Sequence, residues 1–195
     1  MKLFVKYIFS FSLVTMAVSV SANNSPVQFE PQPYIGFDGG FTFIQETCSK
    51  VYTHCDNSEP KLGFLYGVSL TDYFAIETGF QFFGTYKGFL NTTDKSDISS
   101  IDLSAKFAWG VTPTSNLFIK AGGMRWMKEF RGHIENNTGS GRERENGYSP
   151  VLTVGVDYHF RDNWDLRLSY QWANQFGGQN TDLNQVSIGL NYFFN

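Results

Sequence analysis

From Tyr34 onward the chain alternates apolar and polar residues with a period of two, the signature of strands with one greasy and one polar face. The last run shows it best. Val186, Ile188, Leu190, Tyr192 and Phe194 share one face; Gln185, Ser187, Gly189, Asn191 and Phe193 share the other. Before it, Trp164, Leu166, Leu168, Tyr170 and Trp172 alternate with Asp165, Arg167, Ser169 and Gln171. A third run sets Leu152, Val154, Val156, Tyr158 and Phe160 against Thr153, Gly155, Asp157 and His159. The same reading upstream predicts strands near 33–44, 62–70, 73–85, 98–111, 117–130, 150–160, 164–176 and 183–194.

The connections alternate in length. Thr71-Asp72, Thr112 to Asn116 and Arg161 to Asn163 are short; Gln45 to Lys61, Tyr86 to Asp97 and Arg131 to Ser149 are long and polar; Gly177 to Asp182 is intermediate. Short turns on one rim and long loops on the other match an all-β, eight-stranded, antiparallel up-and-down transmembrane β-barrel. The even count puts both termini on the short-turn, periplasmic side of a Gram-negative outer membrane.

The charges decide which face looks inward. Asp38, Glu77, Asp102, Lys106, Lys120, Asp157 and Arg167 all fall on the polar faces, opposite bulky aromatics and aliphatics. A soluble barrel would have to put the charges in water and the aromatics in a small lumen. The inverted arrangement, aromatics to lipid and charges to the lumen, fits this sequence better. Phe74, Trp109, Trp164, Tyr192 and Phe194 sit near strand ends, where amphipathic rings favour the membrane interface.

Composition narrows the class further. Twenty Phe, ten Tyr and four Trp with nineteen Gly and only six Pro suit strands and tight turns. The net charge of -3, with no basic stripe, speaks against nucleic acid. At the N-terminus, Lys2 and Lys6 precede an apolar run from Tyr7 to Val18, and Val20-Ser21-Ala22 supplies small residues. That pattern reads as a signal peptide over 1–22, with a short periplasmic segment over 23–32 and the barrel over 33–195. The alternative, a membrane-anchoring helix, needs a longer apolar run.

Export bears on Cys48 and Cys55, the two cysteines, which in an oxidising compartment read as a loop-stapling disulfide. A metal or redox pair would need further ligands, and only His54 adjoins them. No metal, cofactor or catalytic residue is assigned. Lipid-remodelling barrels use His with Ser or Asp; His54 and His133 fall in expected loops, His159 faces inward, and no Ser/His/acid trio is evident.

Four motifs carry a family resemblance. Arg167-Leu168-Ser169-Tyr170-Gln171-Trp172 resembles the penultimate strand of the outer membrane protein A (OmpA) transmembrane domain. Gly122-Gly123-Met124-Arg125-Trp126 resembles its fifth strand, Glu77-Thr78-Gly79-Phe80 its third, and Val186 to Phe194 its last. Full-length members continue into a peptidoglycan-binding domain; this sequence is read as the barrel alone, and its loops differ. The resemblance implies an internal salt-bridge set, with Glu77 and Arg167 as the central pair and Lys106 and Asp157 as switching partners. The inward register of all four agrees. They are either mutually satisfied charges in a packed interior or the gate of a narrow pore. The pairing also predicts that Arg167→Ala destabilises more than the Glu77→Ala, Arg167→Ala double mutant.

Val186, Ile188, Leu190, Tyr192 and Phe194 look like the family signal read by the outer-membrane assembly machinery, with Asn195 after the terminal aromatic as a small departure. Periplasmic chaperones are expected partners on the way. Arg125 faces lipid by register, near the outer interface; it either snorkels to the headgroups or, with Arg131, meets lipopolysaccharide phosphates. The run Arg142-Glu143-Arg144-Glu145 reads as a solvated loop, or as a contact surface for a host, phage or other cell-surface partner. The glycosylation patterns at Asn91 and Asn136 carry no weight in a bacterial membrane. The expected role of this monomer is structural or interactive: membrane integrity, adhesion or recognition through the long loops. The alternatives are a narrow gated pore and, third, a lipid A-modifying enzyme.

Overall fold

The computed structural model describes residues 30–44, 58–87, 95–133, 140–176 and 182–194. The expected signal peptide over 1–22, Cys48, His54, Cys55, Asn91, Asn136 and Asn195 lie outside the described residues. Eight antiparallel strands close into one barrel: β1 Gln32–Ile44, β2 Ser58–Ser69, β3 Phe74–Lys87, β4 Lys95–Thr112, β5 Ser115–His133, β6 Ser140–Arg161, β7 Trp164–Ala173 and β8 Leu183–Phe193. Each strand pairs with its sequence neighbours, and β8 returns to β1 through Tyr34↔Phe193 to Ile44↔Leu183. Closure removes the sheet edges that lipid cannot hydrogen-bond.

The alternation holds as the sequence predicts. Leu103, Leu168 and Ile188 point outward and are more than half exposed, whereas Glu77, Asp157 and Arg167 are almost fully buried in the lumen. Trp164, Tyr192 and Phe194 contact in series at the short-turn rim, with ring centroids 5.0 and 5.2 Å apart. Leu168 stands four residues above Trp164, roughly 10 Å up a tilted strand and near the midplane of an apolar band about 25 Å tall. Leu168→Arg is expected to cost about 2–4 kcal/mol of folding into lipid vesicles, measured by urea titration; a neutral substitution would contradict a lipid-facing position.

Five strands are longer than the periodicity predicts at the long-loop end, β3 by the two residues to Lys87. β2 starts at Ser58, β4 at Lys95 and, most of all, β6 at Ser140, while β5 runs to His133. Arg131, His133 and the run Arg142 to Glu145 are therefore strand residues, not loop. The register sets Glu145 opposite Lys128 and Arg144 opposite Glu129. Apolar–polar alternation marks only a half-buried strand; a strand wet on both faces keeps its hydrogen bonds but loses the pattern. β7 errs the other way, ending at Ala173. Beyond it Gln175, a non-glycine residue at φ 54°, bends the chain, and Phe176 joins the buried apolar cluster of the lumen.

Inverted faces do not mean a wholly polar lumen. Phe83, Ile98, Met124, Trp126, Val151, Ala173, Phe176 and Leu183 form a buried apolar cluster inside the long-loop end. Phe176 stacks edge-on to Phe83 at 5.6 Å and tilted to Trp126 at 5.8 Å. The Trp126 indole donates to Ser149 Oγ at 3.2 Å, and that hydroxyl donates to the Gln175 carbonyl at 3.2 Å.

Candidate functional site: the charged lumen

Below the apolar plug lies a charge cluster built from strands β1, β3, β4, β5, β6 and β7. Arg167 is its centre. Its Nε donates to Asp157 Oδ1 at 2.7 Å and its Nη2 to Asp157 Oδ2 at 3.1 Å. Its Nη1 donates to both Glu77 oxygens, at 3.0 and 3.1 Å. Asp157 and Arg167 are cross-strand partners in the β6–β7 ladder, so one residue pair of the sheet fixes half the cluster. Lys106 Nζ lies 2.5 Å from Asp157 Oδ2 and 3.9 Å from Glu77 Oε1. The four residues predicted from the sequence are thus brought together.

Two members of the cluster were not assigned to it by sequence. Lys120 reaches Glu77 Oε2 at 2.8 Å, and Tyr34 donates its hydroxyl to Glu77 Oε1 at 2.5 Å. Lys120 has the right register but no motif match; Tyr34 shares a face with Asp38, but a tyrosine by itself does not mark an inward position. Gly67 makes room for that ring, since a Cβ there would come within 2.6 Å of the Tyr34 oxygen. Phe118 backs the cations, with Arg167 Cζ 4.7 Å and Lys106 Nζ 4.9 Å from its ring centre. The Phe118 ring in turn occupies the space left by Gly155, where a side chain would meet it.

A second layer lies toward the plug. Lys61 pairs with Asp38 at 2.6 Å, and Gln81 donates to Asp102 at 2.8 Å and to Gln171 at 3.3 Å. Across both layers, the four carboxylates Asp38, Glu77, Asp102 and Asp157 balance in number the four cations Lys61, Lys106, Lys120 and Arg167, so the named set is neutral. That balance is what a low-dielectric interior demands of buried ions. The void among these side chains is about 20 Å³, room for about one water. A larger vestibule of about 380 Å³ opens at the short-turn end and ends on Lys106 and Asp157. In its wall His159 Nδ1 bonds Asp165, and Asn116 contacts His159 Nε2 at 2.9 Å. Both ring nitrogens are taken, which suits a latch between the turns and not a general base.

Arg125 is exposed on the outer wall, as its register predicts, with its guanidinium 5.8 Å from the Tyr148 ring. Arg131 lies in β5, opposite Lys95 and Arg142 in backbone register. Val186, Ile188, Leu190 and Phe194 form the exposed face of the closing strand and its end.

This inverted barrel with an ion-paired lumen has a counterpart among known families: the model for the OmpA-like transmembrane domain matches residues 29–195. The chain belongs to that family. Outer membrane protein A of Yersinia pseudotuberculosis is 25% identical over 193 residues, covering 93% of this chain and 54% of its own length. Outer membrane protein A of Escherichia fergusonii is 31% identical over 136 residues, 66% of this chain and 38% of its own. The chain thus spans about half or less of the length of these relatives. Among solved structures, Ail of Yersinia pestis superimposes with a TM-score of 0.60 at 13% identity, covering 85% of this chain and all of that one. Neisserial surface protein A gives 0.61 at 14% identity, covering 83% and 97%. At such identity these two share the fold. As an OmpA-like barrel, the protein is an outer-membrane protein that sits in the lipid bilayer.

Proposed function

We propose that this OmpA-like barrel is a structural and surface-interaction protein, contributing to membrane integrity, adhesion or recognition, and not a conducting pore. The apolar plug carries this reading. Phe83, Met124, Trp126, Phe176 and Leu183 fill the lumen above a neutral, tightly paired charge cluster. An ion would have to pass a greasy constriction, which repels water and ions even when the charges re-pair. Planar-bilayer recording tests this. Wild type and Arg167→Ala are expected to show no channel steps, and a Phe83→Ser, Trp126→Ser, Arg167→Ala triple variant, which opens both the plug and the packed cluster beneath it, is expected to conduct. Steps from Arg167→Ala alone would favour the second reading, a gate made of Glu77, Lys106, Asp157 and Arg167. The observation favouring that gate is that Lys106 already lies within 4 Å of both carboxylates.

In this proposal residues 1–22 direct export, the termini lie in the periplasm, and the outward face Val186, Ile188, Leu190, Tyr192 and Phe194 presents the signal for the assembly machinery. Deleting Phe194-Asn195 is expected to lower the amount of barrel at the cell surface. Cys48 and Cys55 staple the first long loop. Arg125 and Arg131 meet phosphates of lipopolysaccharide in this reading, supported for Arg125 by its exposure on the outer wall. Arg125→Glu is expected to reduce the lipopolysaccharide that copurifies with the barrel, and unchanged copurification would remove that role.

A further inference from the structure

The β5–β6 hairpin outgrows the rest of the barrel. β6 pairs with β5 from Ser115↔Tyr158 out to His133↔Ser140. On its other side its ladder with β7 stops at Val151↔Ala173. The Pro150 carbonyl still accepts from the Asn174 amide at 3.3 Å, and Ser149 bonds Gln175. Beyond that point, from Ser140 to Tyr148, β6 presents an edge that no strand among the described residues pairs.

This edge stands clear of lipid. The outward aromatics Phe160 and Tyr148 bracket the apolar wall of β6. Twelve residues of a tilted strand separate them, a height of about 30 Å against an apolar band of about 25 Å. Residues 140–147 therefore stand in the aqueous phase. An open edge is a template for another strand, because its amides and carbonyls are already aligned.

The charge pattern selects the occupant. Arg144 lies on the outer face, 3.4 Å from Glu129, and Glu145 lies opposite the inward Lys128 in the ladder. Arg142 and Glu143 continue the alternation in sequence. A second copy in the same bilayer is inserted in the same direction, so its tilted β6 would cross this edge and not line it; a copy on a facing membrane, related by a two-fold axis, would pair antiparallel, same face to same face. In the register that uses the whole edge, centred on residue 144, Arg144 would meet Arg144 and Glu143 would meet Glu145. Like charges directly opposite disfavour that pairing. We propose that the open edge of β6, from Ser140 to Tyr148, is a docking site for an extended peptide that sets acidic side chains opposite Arg144 and basic ones opposite Glu145. The β5 partners Glu129 and Lys128 already show that pattern from the other side. The proposal rests on the surface reading above and names the partner chemistry.

The probe is a synthetic nine-residue peptide with alternating Lys and Glu flanked by Thr. The control has the same composition but runs Lys-Lys-Glu-Glu, which mixes the charges on both faces. Amide hydrogen exchange is followed on the full barrel refolded in lipid nanodiscs. The alternating peptide is expected to slow exchange about tenfold at every second amide between 141 and 147, because the intervening amides already bond β5. The control should bind about fivefold more weakly, as should the alternating peptide to Arg144→Glu. No slowing, or equal slowing by both peptides, would overturn the docking site. Dimers forming through this edge would show a second copy as occupant and also overturn it. Ser140→Cys, with Cys48 and Cys55 changed to Ser, separates the two readings. If a membrane-impermeant maleimide fails to label it on intact cells, the surface reading itself falls; labelling without peptide protection removes only the docking site.

Discussion

Glu77→Gln is expected to destabilise the barrel by about 3–5 kcal/mol, the cost of stranding buried charge, and by more than Arg167→Met. The charge balance gives the reason. Glu77 neutralises Arg167, Lys120 and, in part, Lys106, and accepts the Tyr34 hydroxyl. Without its charge, three cations face Asp157 alone. Without Arg167, by contrast, Lys106 remains on Asp157 and Lys120 on Glu77, so each carboxylate keeps a cation. Arg167→Met is then expected to cost about 1–3 kcal/mol, mainly for lost hydrogen bonds. The structure thus reverses the ordering that the sequence alone suggests, since the Glu77, Arg167 double variant keeps two lysines against one aspartate while Arg167→Ala keeps two against two. Urea unfolding in lipid vesicles, with Lys120→Met added to each variant, measures this. Lys120→Met should restore part of the stability of Glu77→Gln; zero coupling between residues 77 and 120 would sink the account.

Trp126→Ala is the second large effect, at about 3–5 kcal/mol for emptying a packed interior site. Trp126 is buried among Phe176, Val151 and Met124, and its indole N–H is bonded to Ser149. Leu103→Ala provides the contrast. Leu103 is 62% exposed on the outer wall, where lipid chains refill the space a truncated side chain leaves. Only a small change is expected there. Equal losses at 103 and 126 in vesicle unfolding would mean that residue 126 does not sit in a closed plug.

That Glu77, Lys106, Asp157 and Arg167 share the lumen was legible in the chain, because a period of two assigns each residue to a face without any knowledge of its neighbours. So were the eight strands, the short-turn rim and the outward aromatics. Alternation does not say at what height an inward residue stands, or which inward residue of another strand meets it. Those depend on the stagger between strands. Lys120 and Tyr34 come to Glu77 from β5 and β1 through that stagger, and nothing local to either residue announces it. The plug was hidden for a related reason. Phe83, Ile98, Met124 and Trp126 are apolar residues on inward faces, which the rule of greasy-out, polar-in treats as irregularities; assembled at one height, they are a lid. The extension of β6 to Ser140 was hidden because a strand in water on both sides has no apolar face to reveal it. The sequence by itself determined the number of strands, their faces and the inversion that places them in lipid, since these follow from periodicity and charge within each strand. The tertiary structure alone decided the charge balance, the closure of the lumen and the open edge of β6, since these arise from register between strands distant in the chain.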